Sequence, residues 1–373
     1  MAKGIYIHVP FCQSVCTYCD FPKLAGGEER IPDYVRALIR EMDAYPDEWK
    51  DVETLYLGGG TPSRLPLPEL DRLFQALSAK TDLSRLSEFC LEANPQDLTP
   101  EFARFLAGWG VNRVSLGVQT SHPHLLALLG RTHGRGDVLR AISALRNAGI
   151  GNVNLDFIYA IPGETFAELE ADIAYATSLG AAHLSFYSLI LEEKTLLWHE
   201  IRDGKLSLCS EDLEADMAEA VMDLLPARGY EQYEVSNFAR PGFQSRHNVL
   251  YWNVQPYLGL GMGAHSQIGT IRFHNHPMLS RYLSAVETTG TGRAAFDPCD
   301  LAQETGLMGL RLREGLSRSA FRERFGEDIL LKYPRLAKNL TEGLLELAGD
   351  RLRATRRGLL LLNYVERSFA EGK

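Results

Sequence analysis

The sequence predicts an α/β fold with a parallel sheet, and two observations indicate this class. Short runs of β-branched and aromatic residues alternate with helix-like stretches through the first half of the chain, which is typical of parallel β/α units. The length of 373 residues is also sufficient for about two domains. We therefore expect a parallel sheet of about six units, followed by a smaller C-terminal domain.

The predicted strands and helices follow one another along the chain. Strands are predicted at residues 5–9, 54–57, 89–93, 113–118, 153–158 and 183–187, and helices at residues 32–43, 68–80, 137–148 and 165–178. Gly108, Gly149 and Gly180 fall where helices should end, and glycine is common just past a helix C-terminus. In a parallel barrel the functional residues gather at the C-terminal ends of the strands, so polar residues there are the first site candidates.

The composition excludes several classes of protein. No apolar run is long enough to span a bilayer, and the formal net charge of -9 argues against general binding to a nucleic-acid backbone. Residues 4–9 alternate like a strand and lack the regions of a signal peptide, so we expect a cytoplasmic protein. The six cysteines do not form the pattern of a disulfide framework, and Cys90, Cys209 and Cys299 are interpreted as buried apolar residues.

Three clustered cysteines carry most of the functional information in the chain. Cys12, Cys16 and Cys19 have the spacing C-x3-C-x2-C. Three thiolates on one loop can ligate three irons of a 4Fe-4S cluster and leave the fourth iron open to another ligand. A structural zinc site or three unrelated buried cysteines are the alternatives. Zinc would require a fourth Cys or His at ligand spacing, and Asp20 follows Cys19 instead.

Glycine and polar residues follow several of the predicted strands. The segment Gly58-Gly59-Gly60-Thr61-Pro62 comes after the second strand, and residues without Cβ atoms let backbone groups approach a ligand. Most glycine-rich turns are only turns, and a polar residue at a strand end can simply be solvated. The other polar candidates of this kind are Glu92, Gln119, Arg131 and Asp156.

Together the cysteine triplet and the glycine segment resemble the radical SAM superfamily. Over nearly the whole chain the sequence resembles its coproporphyrinogen III oxidase-like family, which contains HemN and HemW. The resemblance implies a partial (β/α)6 TIM-type barrel at residues 1–230, a family-specific extension at 231–293 and a small, mainly helical HemN-type C-terminal domain at 294–373. It also implies that Cys12, Cys16 and Cys19 ligate a 4Fe-4S cluster and that S-adenosylmethionine is lined by Tyr6, Tyr18, Gly59, Gly60, Thr61, Glu92, Gln119, Arg131 and Asp156.

Two features favour the heme chaperone branch of this family. Asp20-Phe21 follows the triplet, where HemN-like dehydrogenases continue Cys-x-Cys. A His-Asn-x-x-Tyr-Trp pattern at residues 247–252, which is associated with heme in this branch, makes His247 the first candidate for an axial ligand of heme, with Tyr251 and Trp252 beside the porphyrin. A histidine hydrogen-bonded inside an irregular loop is the alternative. The second-choice heme ligands are His265, His274 and His276, each more simply structural.

The C-terminal domain is predicted in less detail. Helices are expected at residues 318–325, 331–345 and 363–369, and a strand with its turn at residues 352–358. The domain also carries four clustered arginines, which most simply form a solvated face, with heme propionates or a partner as alternative contacts. These are Arg351, Arg353, Arg356 and Arg357.

The sequence therefore predicts a radical SAM-fold heme chaperone that binds heme and passes it to acceptor proteins, respiratory membrane proteins among them. The alternatives are an oxygen-independent coproporphyrinogen III dehydrogenase and a HemN-like radical methyltransferase. Whether S-adenosylmethionine is cleaved is left open; cleavage would require an electron donor such as flavodoxin or ferredoxin. No nucleic-acid partner and no membrane span are expected, and a homodimer is left open.

Overall fold

A computed structural model describes residues 1–369 and is built around one large mixed sheet. The strands are β1 Gly4–Val9, β2 Phe11–Cys12, β3 Leu24–Ala25, β4 Thr54–Gly59, β5 Glu88–Ala93, β6 Arg113–Gln119, β7 Asn152–Tyr159, β8 His183–Ser188, β9 Glu231–Gln232, β10 Asn237–Ala239, β11 Tyr257–Leu260, β12 His265–Ile268, β13 Ile271–Asn275, β14 Arg293–Asp297, β15 Leu316–Ser317, β16 Leu345–Ala348 and β17 Arg351–Ala354.

Helices connect and cover these strands. They are α1 Ile31–Asp43, α2 Leu67–Ser78, α3 Pro100–Gly108, α4 Pro123–Leu128, α5 Arg135–Asn147, α6 Phe166–Ser178, α7 Leu196–Arg202, α8 Glu211–Leu224, α9 Arg246–Trp252, α10 Leu279–Thr289, α11 Leu301–Gly309, α12 Arg318–Phe325, α13 Ile329–Lys332, α14 Leu336–Thr341, α15 Arg356–Leu360 and α16 Leu362–Glu366. Within residues 1–369 no helix combines the length and apolar composition needed to cross a bilayer.

The six predicted strands form the centre of the sheet. β1, β4, β5, β6, β7 and β8 lie side by side in this order, and each pairs in parallel with its neighbour. The sheet does not close on itself, because β14 and β9 are its two edges. The predicted α/β class with a partial parallel barrel is confirmed.

These parallel strands have one apolar and one polar face, because successive side chains of a strand point in opposite directions. The apolar face carries residues such as Ile7 and Leu57, which are fully buried in the main hydrophobic core. The polar face carries residues such as Ser115 and Asn154, which are buried as well. The strands therefore enclose a polar interior, and their apolar face supports the helices.

The extension widens the sheet at both edges and was not predicted as strands. β10 adds to β8 and β9 adds to β10, whereas β11 runs parallel to β1 with Gly259 opposite Tyr6. β12, β13 and β14 continue from β11 as an antiparallel meander. The face of β1 that carries Tyr6 thus continues outward across the extension.

One buried carboxylate fixes this extension to the first helix. Glu41 on α1 is fully buried and accepts hydrogen bonds from the backbone N–H groups of Gly261 and Gly292, each at 2.8 Å. Its oxygens also accept from the Asn275 side-chain amide and the Tyr282 hydroxyl, again each at 2.8 Å. Sequence reasoning gave Glu41 no role, because all of its partners lie more than 200 positions away in the chain.

The C-terminal domain has its own core and a three-stranded sheet in the order β15, β17, β16. The predicted helix at residues 331–345 is wrong as a single element. Pro334 separates α13 from α14, Gly343 follows α14 with a φ of 69°, and Leu345 begins β16. Proline removes a helical hydrogen bond and glycine favours a left-handed helix end, so this segment is divided. The predicted domain reaches residue 373, and residues 370–373 lie outside the described residues.

Glu41→Gln should destabilise the folded chain by about 2–4 kcal/mol, because an amide has one acceptor atom where the carboxylate offers two, so buried donors are left unpaired. Urea denaturation measures this loss. The matched control is Asp43→Asn on the same helix, where the side chain is 65% exposed. Equal midpoints for the two variants would contradict the anchoring role of Glu41.

Candidate functional site

The three clustered cysteines follow the C-terminal end of β1: Cys12 ends β2, and Cys16 and Cys19 lie on the loop after it. The loop is held by Thr17, whose N–H donates to the Leu129 carbonyl at 3.2 Å and whose hydroxyl donates to the Leu128 carbonyl at 2.8 Å. The Thr17 carbonyl in turn accepts from the N–H of Leu197 at 2.8 Å. These contacts fix the loop to the end of α4 and the start of α7.

The three thiols are free and half-buried. Burial raises the pKa of Cys12 and of Cys19, and the nearby Cys16 thiol adds to both shifts. The Cys12 sulfur accepts from the Thr61 hydroxyl at 3.6 Å, which brings a predicted cofactor residue to the predicted cluster ligand. A bound metal deprotonates a thiol outright, so the raised pKa values are compatible with ligation.

The glycine segment ends β4 directly beside the N-terminal strand. A Cβ atom on Gly59 would lie 2.4 Å from the ring of His8, and one on Gly60 would lie 2.7 Å from the backbone carbon of Pro10. Gly59 also has a φ of 110°, which side-chain-bearing residues rarely adopt. Glycine is therefore required here by packing within the chain, whatever the segment binds.

His8 braces this packing. Burial lowers its pKa to about 4, so the ring is neutral near pH 7. Its Nδ1 is hydrogen-bonded to the Tyr6 hydroxyl at 3.0 Å and its Nε2 to the Pro22 carbonyl at 2.7 Å. The ring thereby connects Tyr6, a predicted cofactor residue, with the segment that follows the cysteines.

Two half-buried carboxyl groups lie on the polar face of the sheet. Glu92 accepts from the Tyr56 hydroxyl at 2.7 Å and from the Gly59 N–H at 3.1 Å, and burial raises its pKa to about 7. Asp156 accepts from the Ser115 hydroxyl at 2.7 Å, and burial raises its pKa as well. The proximity of Asp156 adds to the raised pKa of Glu92, so the region favours a cationic ligand.

Arg131 brings a half-buried cation to the same region. Its terminal nitrogens donate to the Asn94 side-chain oxygen at 2.6 Å and to the Tyr18 hydroxyl at 3.1 Å. Its buried Nε has no partner among the described residues. The buried side-chain amide of Gln119 lies nearby, because a Cβ on Gly117 would be 2.8 Å from its nitrogen and 3.4 Å from an Arg131 nitrogen.

These residues fit a 4Fe-4S cluster with S-adenosylmethionine. Three close thiols provide cluster ligands, paired carboxyl groups suit a cationic ligand, and the free Nε of Arg131 suits a carboxylate. Sequence reasoning missed Tyr56 and Asn94, which position Glu92 and Arg131. Asn94 directly follows a predicted strand, which was the available signal; Tyr56 lies inside a strand and gave none.

The predicted heme ligand His247 lies at the opposite, N-terminal ends of the strands. Its Nδ1 is hydrogen-bonded to the Thr54 hydroxyl at 2.7 Å and its Nε2 to the Tyr251 hydroxyl at 2.8 Å. Burial lowers its pKa to about 3, so the imidazole is neutral. Both ring nitrogens are therefore occupied, and the environment resembles the alternative of a hydrogen-bonded internal histidine.

The start of α9 is fixed by Glu88. Its carboxylate accepts from the backbone N–H groups of Arg246 at 2.8 Å and His247 at 3.1 Å, which satisfies groups left free at a helix N-terminus. The Ser245 hydroxyl donates to the same carboxylate at 3.2 Å. Helix α9 thus closes the polar interior at one end.

Trp252 lies apart from the other two predicted heme residues. It lines a cleft of about 570 Å³ with residues of the C-terminal domain, among them Phe321 and Arg351. Its indole nitrogen has no hydrogen-bond partner within residues 1–369. Of the other clustered arginines, Arg356 is paired with Asp223 and Arg353 with Glu346, as expected for a charged face.

Comparisons with known proteins assign both the N-terminal and the C-terminal part of the chain to related families. The family model described as radical SAM superfamily matches residues 6–176, and that described as HemN C-terminal domain matches residues 296–361. A heme chaperone HemW from Lactococcus lactis is 38% identical, covering 98% of this chain and 97% of that protein. HemW proteins from Bacillus subtilis and Escherichia coli are 37% and 35% identical over at least 96% of each chain.

Among solved structures, coproporphyrinogen III oxidase HemN from Escherichia coli has a TM-score of 0.85 at 21% identity. The match covers 99% of this chain and 90% of that protein. The likeness extends the agreement in fold to the C-terminal domain.

Alanine at Cys12, Cys16 or Cys19 should abolish the iron–sulfur absorption of anaerobically reconstituted protein, because each loss leaves one cluster iron without its thiolate. Visible spectra and iron content give the measurement. Cys209→Ala and Cys299→Ala are the matched controls, since both thiols lie outside the triplet. Full absorption in all three triplet variants would refute the assignment.

Glu92 should make cluster-free protein less stable as the pH rises. The carboxyl keeps its proton up to about pH 7 when folded, against an ordinary pKa of 4.5. The folded state therefore loses on the order of 3 kcal/mol across this window as the pH rises. Urea denaturation at several pH values should show that Glu92→Gln reduces the pH dependence of stability, whereas exposed Glu170→Gln leaves it unchanged. Parallel slopes in all proteins would contradict the prediction.

Proposed function

The chain belongs to the HemW family of radical SAM proteins, and from this membership we propose that it is a heme chaperone that binds heme and delivers it to acceptor proteins. The observation that carries the proposal is the 38% identity to a HemW over 98% of this chain. The likeness to HemN supports the fold alone, because the identity is only 21%. We place the protein in the cytoplasm, with respiratory membrane proteins among its acceptors.

The resident cofactors in this proposal are a 4Fe-4S cluster and S-adenosylmethionine. Cys12, Cys16 and Cys19 would hold the cluster, which supplies one-electron chemistry when bound. Arg131 would hold a carboxylate through its unpaired Nε, while Tyr18 and Asn94 fix the guanidinium plane. In a buried site these contacts are stronger than in water, so they orient the ligand and exclude solvent.

The half-buried carboxyl groups would hold the cationic part of the same ligand. Tyr56 and the Gly59 N–H fix the Glu92 carboxyl, and Ser115 fixes that of Asp156. A bound cation stabilises the ionised form of a carboxyl group and would lower the raised pKa of Glu92. The positive charge of the ligand and the negative charge of the carboxyl groups would thus each reduce the free-energy cost of burying the other.

Heme ligation by His247 requires a local rearrangement of α9. In the described conformation the imidazole is bonded to Thr54 and Tyr251, and the helix N-terminus is bonded to Glu88. An iron ligand needs one free ring nitrogen. The proposal therefore includes release of His247 from one of these hydroxyl groups when heme is loaded.

A heme titration that compares His247→Ala with Thr54→Ala tests this site. Both variants remove the same 2.7 Å hydrogen bond, but only the first removes the imidazole. If His247 is the ligand, heme affinity should fall by at least about tenfold in His247→Ala and be unchanged or higher in Thr54→Ala. The Soret band of anaerobically reconstituted protein is the readout, and thermal unfolding monitors the stability that both variants lose.

Three outcomes would redirect the proposal. Equal heme affinity in the two variants would make His247 a structural residue and move the heme site elsewhere. No saturable heme binding by the intact protein, together with decarboxylation of coproporphyrinogen III under reducing conditions, would replace the chaperone with the dehydrogenase. Methylated product from labelled S-adenosylmethionine would instead indicate the methyltransferase.

A further inference from the structure

A cluster of metal-ligand side chains lies on the extension, outside the cofactor site. His265 begins β12, His274 lies on β13 and Asp297 ends β14. His265 and His274 are direct cross-strand partners, and their ring centroids are 5.3 Å apart. Asp297 is the diagonal neighbour of His274 on the next strand, because His274 pairs with Ala295. All three side chains therefore point to the same face of the sheet.

Their potential ligand atoms converge. The Asp297 carboxylate lies 2.8 Å from the Nδ1 of His274 and 3.8 Å from the Nδ1 of His265. One potential ligand atom from each of the three side chains falls within 4.8 Å of the others. Two imidazoles and one carboxylate are the ligand types that divalent zinc accepts, and three protein ligands leave its fourth position open.

We propose that His265, His274 and Asp297 bind a divalent transition metal ion, with zinc as the reference ion and one coordination position left exchangeable. The His265 side chain is 60% exposed, so an ion can reach the site from solvent. Binding requires a side-chain adjustment that brings the three ligand atoms to the separations of a common coordination sphere. The strand register already fixes the backbone.

The local charge is favourable. Arg272 is the cation that shares this face of β13, and it is paired with Glu304 at 2.6 Å. Its charge is thereby compensated, and Asp297 remains to offset the charge of a bound ion. The 2.8 Å contact between Asp297 and the Nδ1 of His274 also keeps these two side chains together, and a metal ion bound by both groups would replace it.

The convergence of three groups distinguishes this site from a heme site. A porphyrin occupies four positions around its iron and leaves one axial position on each side. Heme could take one of these side chains, whereas a free ion can take all three. We therefore assign His265 and His274 as ligands of a free metal ion and not as second-choice ligands of heme. This assignment does not depend on the proposed heme transfer.

The site lies on the same sheet face as the cofactor site. Tyr6 on β1 is opposite Gly259 on β11, and β11 pairs with β12 through Tyr257 and Gln267. Within the cluster, His265 lies two strands from Tyr6, whereas His274 and Asp297 lie three and four strands away.

The test is zinc titration by calorimetry on the full chain with its iron–sulfur cluster loaded, so that Cys12, Cys16 and Cys19 are occupied. We expect one zinc ion per chain and a loss of affinity of at least about tenfold in His265→Ala and in Asp297→Asn. His124→Ala is the matched control, because this histidine is 61% exposed and lies near Glu168 in the barrel domain. Circular dichroism verifies that each variant is folded.

X-ray absorption of the bound zinc identifies its ligands. The proposed site predicts nitrogen and oxygen ligands at about 2.0–2.2 Å and no sulfur at about 2.3 Å. A sulfur component would place the ion at cysteines and overturn the proposal. So would the absence of zinc binding by the wild type, or equal affinity in the wild type, His265→Ala and Asp297→Asn.

Discussion

The polar interior of the barrel is the constraint on which the rest of the structure depends. A buried polar group that lacks a hydrogen bond costs about 1–3 kcal/mol, so the interior side chains must pair with one another. Asn154 is the centre of this pairing: its amide donates to Ser115 at 2.7 Å and its carbonyl is bonded to His183 at 2.6 Å. His183 is bonded in turn to the Tyr233 hydroxyl of the extension at 2.8 Å. The parallel strands and the extension therefore share one network.

The buried polar groups at the two ends of this interior are satisfied in different ways. At the N-terminal ends of the strands, the Glu88 carboxylate accepts a hydrogen bond from the backbone of α9, and the Thr54 hydroxyl is bonded to the His247 imidazole of the same helix. At the C-terminal ends, Glu92 keeps a raised pKa and the Nε of Arg131 has no partner in the described chain. One end is closed by the protein itself, and the other is arranged for a ligand with charges of both signs.

The sequence predicted the six parallel strands because their pattern is local. It also brought Cys12, Tyr18 and Arg131 into one hypothesis, and the structure places Tyr18 beside Arg131 at 3.1 Å. The meander of β11 to β14 was not predicted, because short antiparallel strands are defined by the strands with which they pair and not by a hydrophobic period in the sequence. Glu41 was missed for the same reason: its role depends on four donors that are distant in sequence. A contiguous motif likewise suggests joint contacts, yet α9 directs His247 inward while Trp252 lines the outer cleft.

Tyr56 links the two ends of the interior. Its hydroxyl donates to Glu92 at 2.7 Å, and its ring stacks on His247 with centroids 5.1 Å apart. The ring of Tyr6 stacks on its other side at 6.2 Å. A close-packed interior transmits small displacements, so movement of His247 must be accommodated by the ring that positions Glu92. The family-specific segment and the proposed cofactor site therefore share one structural element, Tyr56, which contacts both His247 of α9 and Glu92.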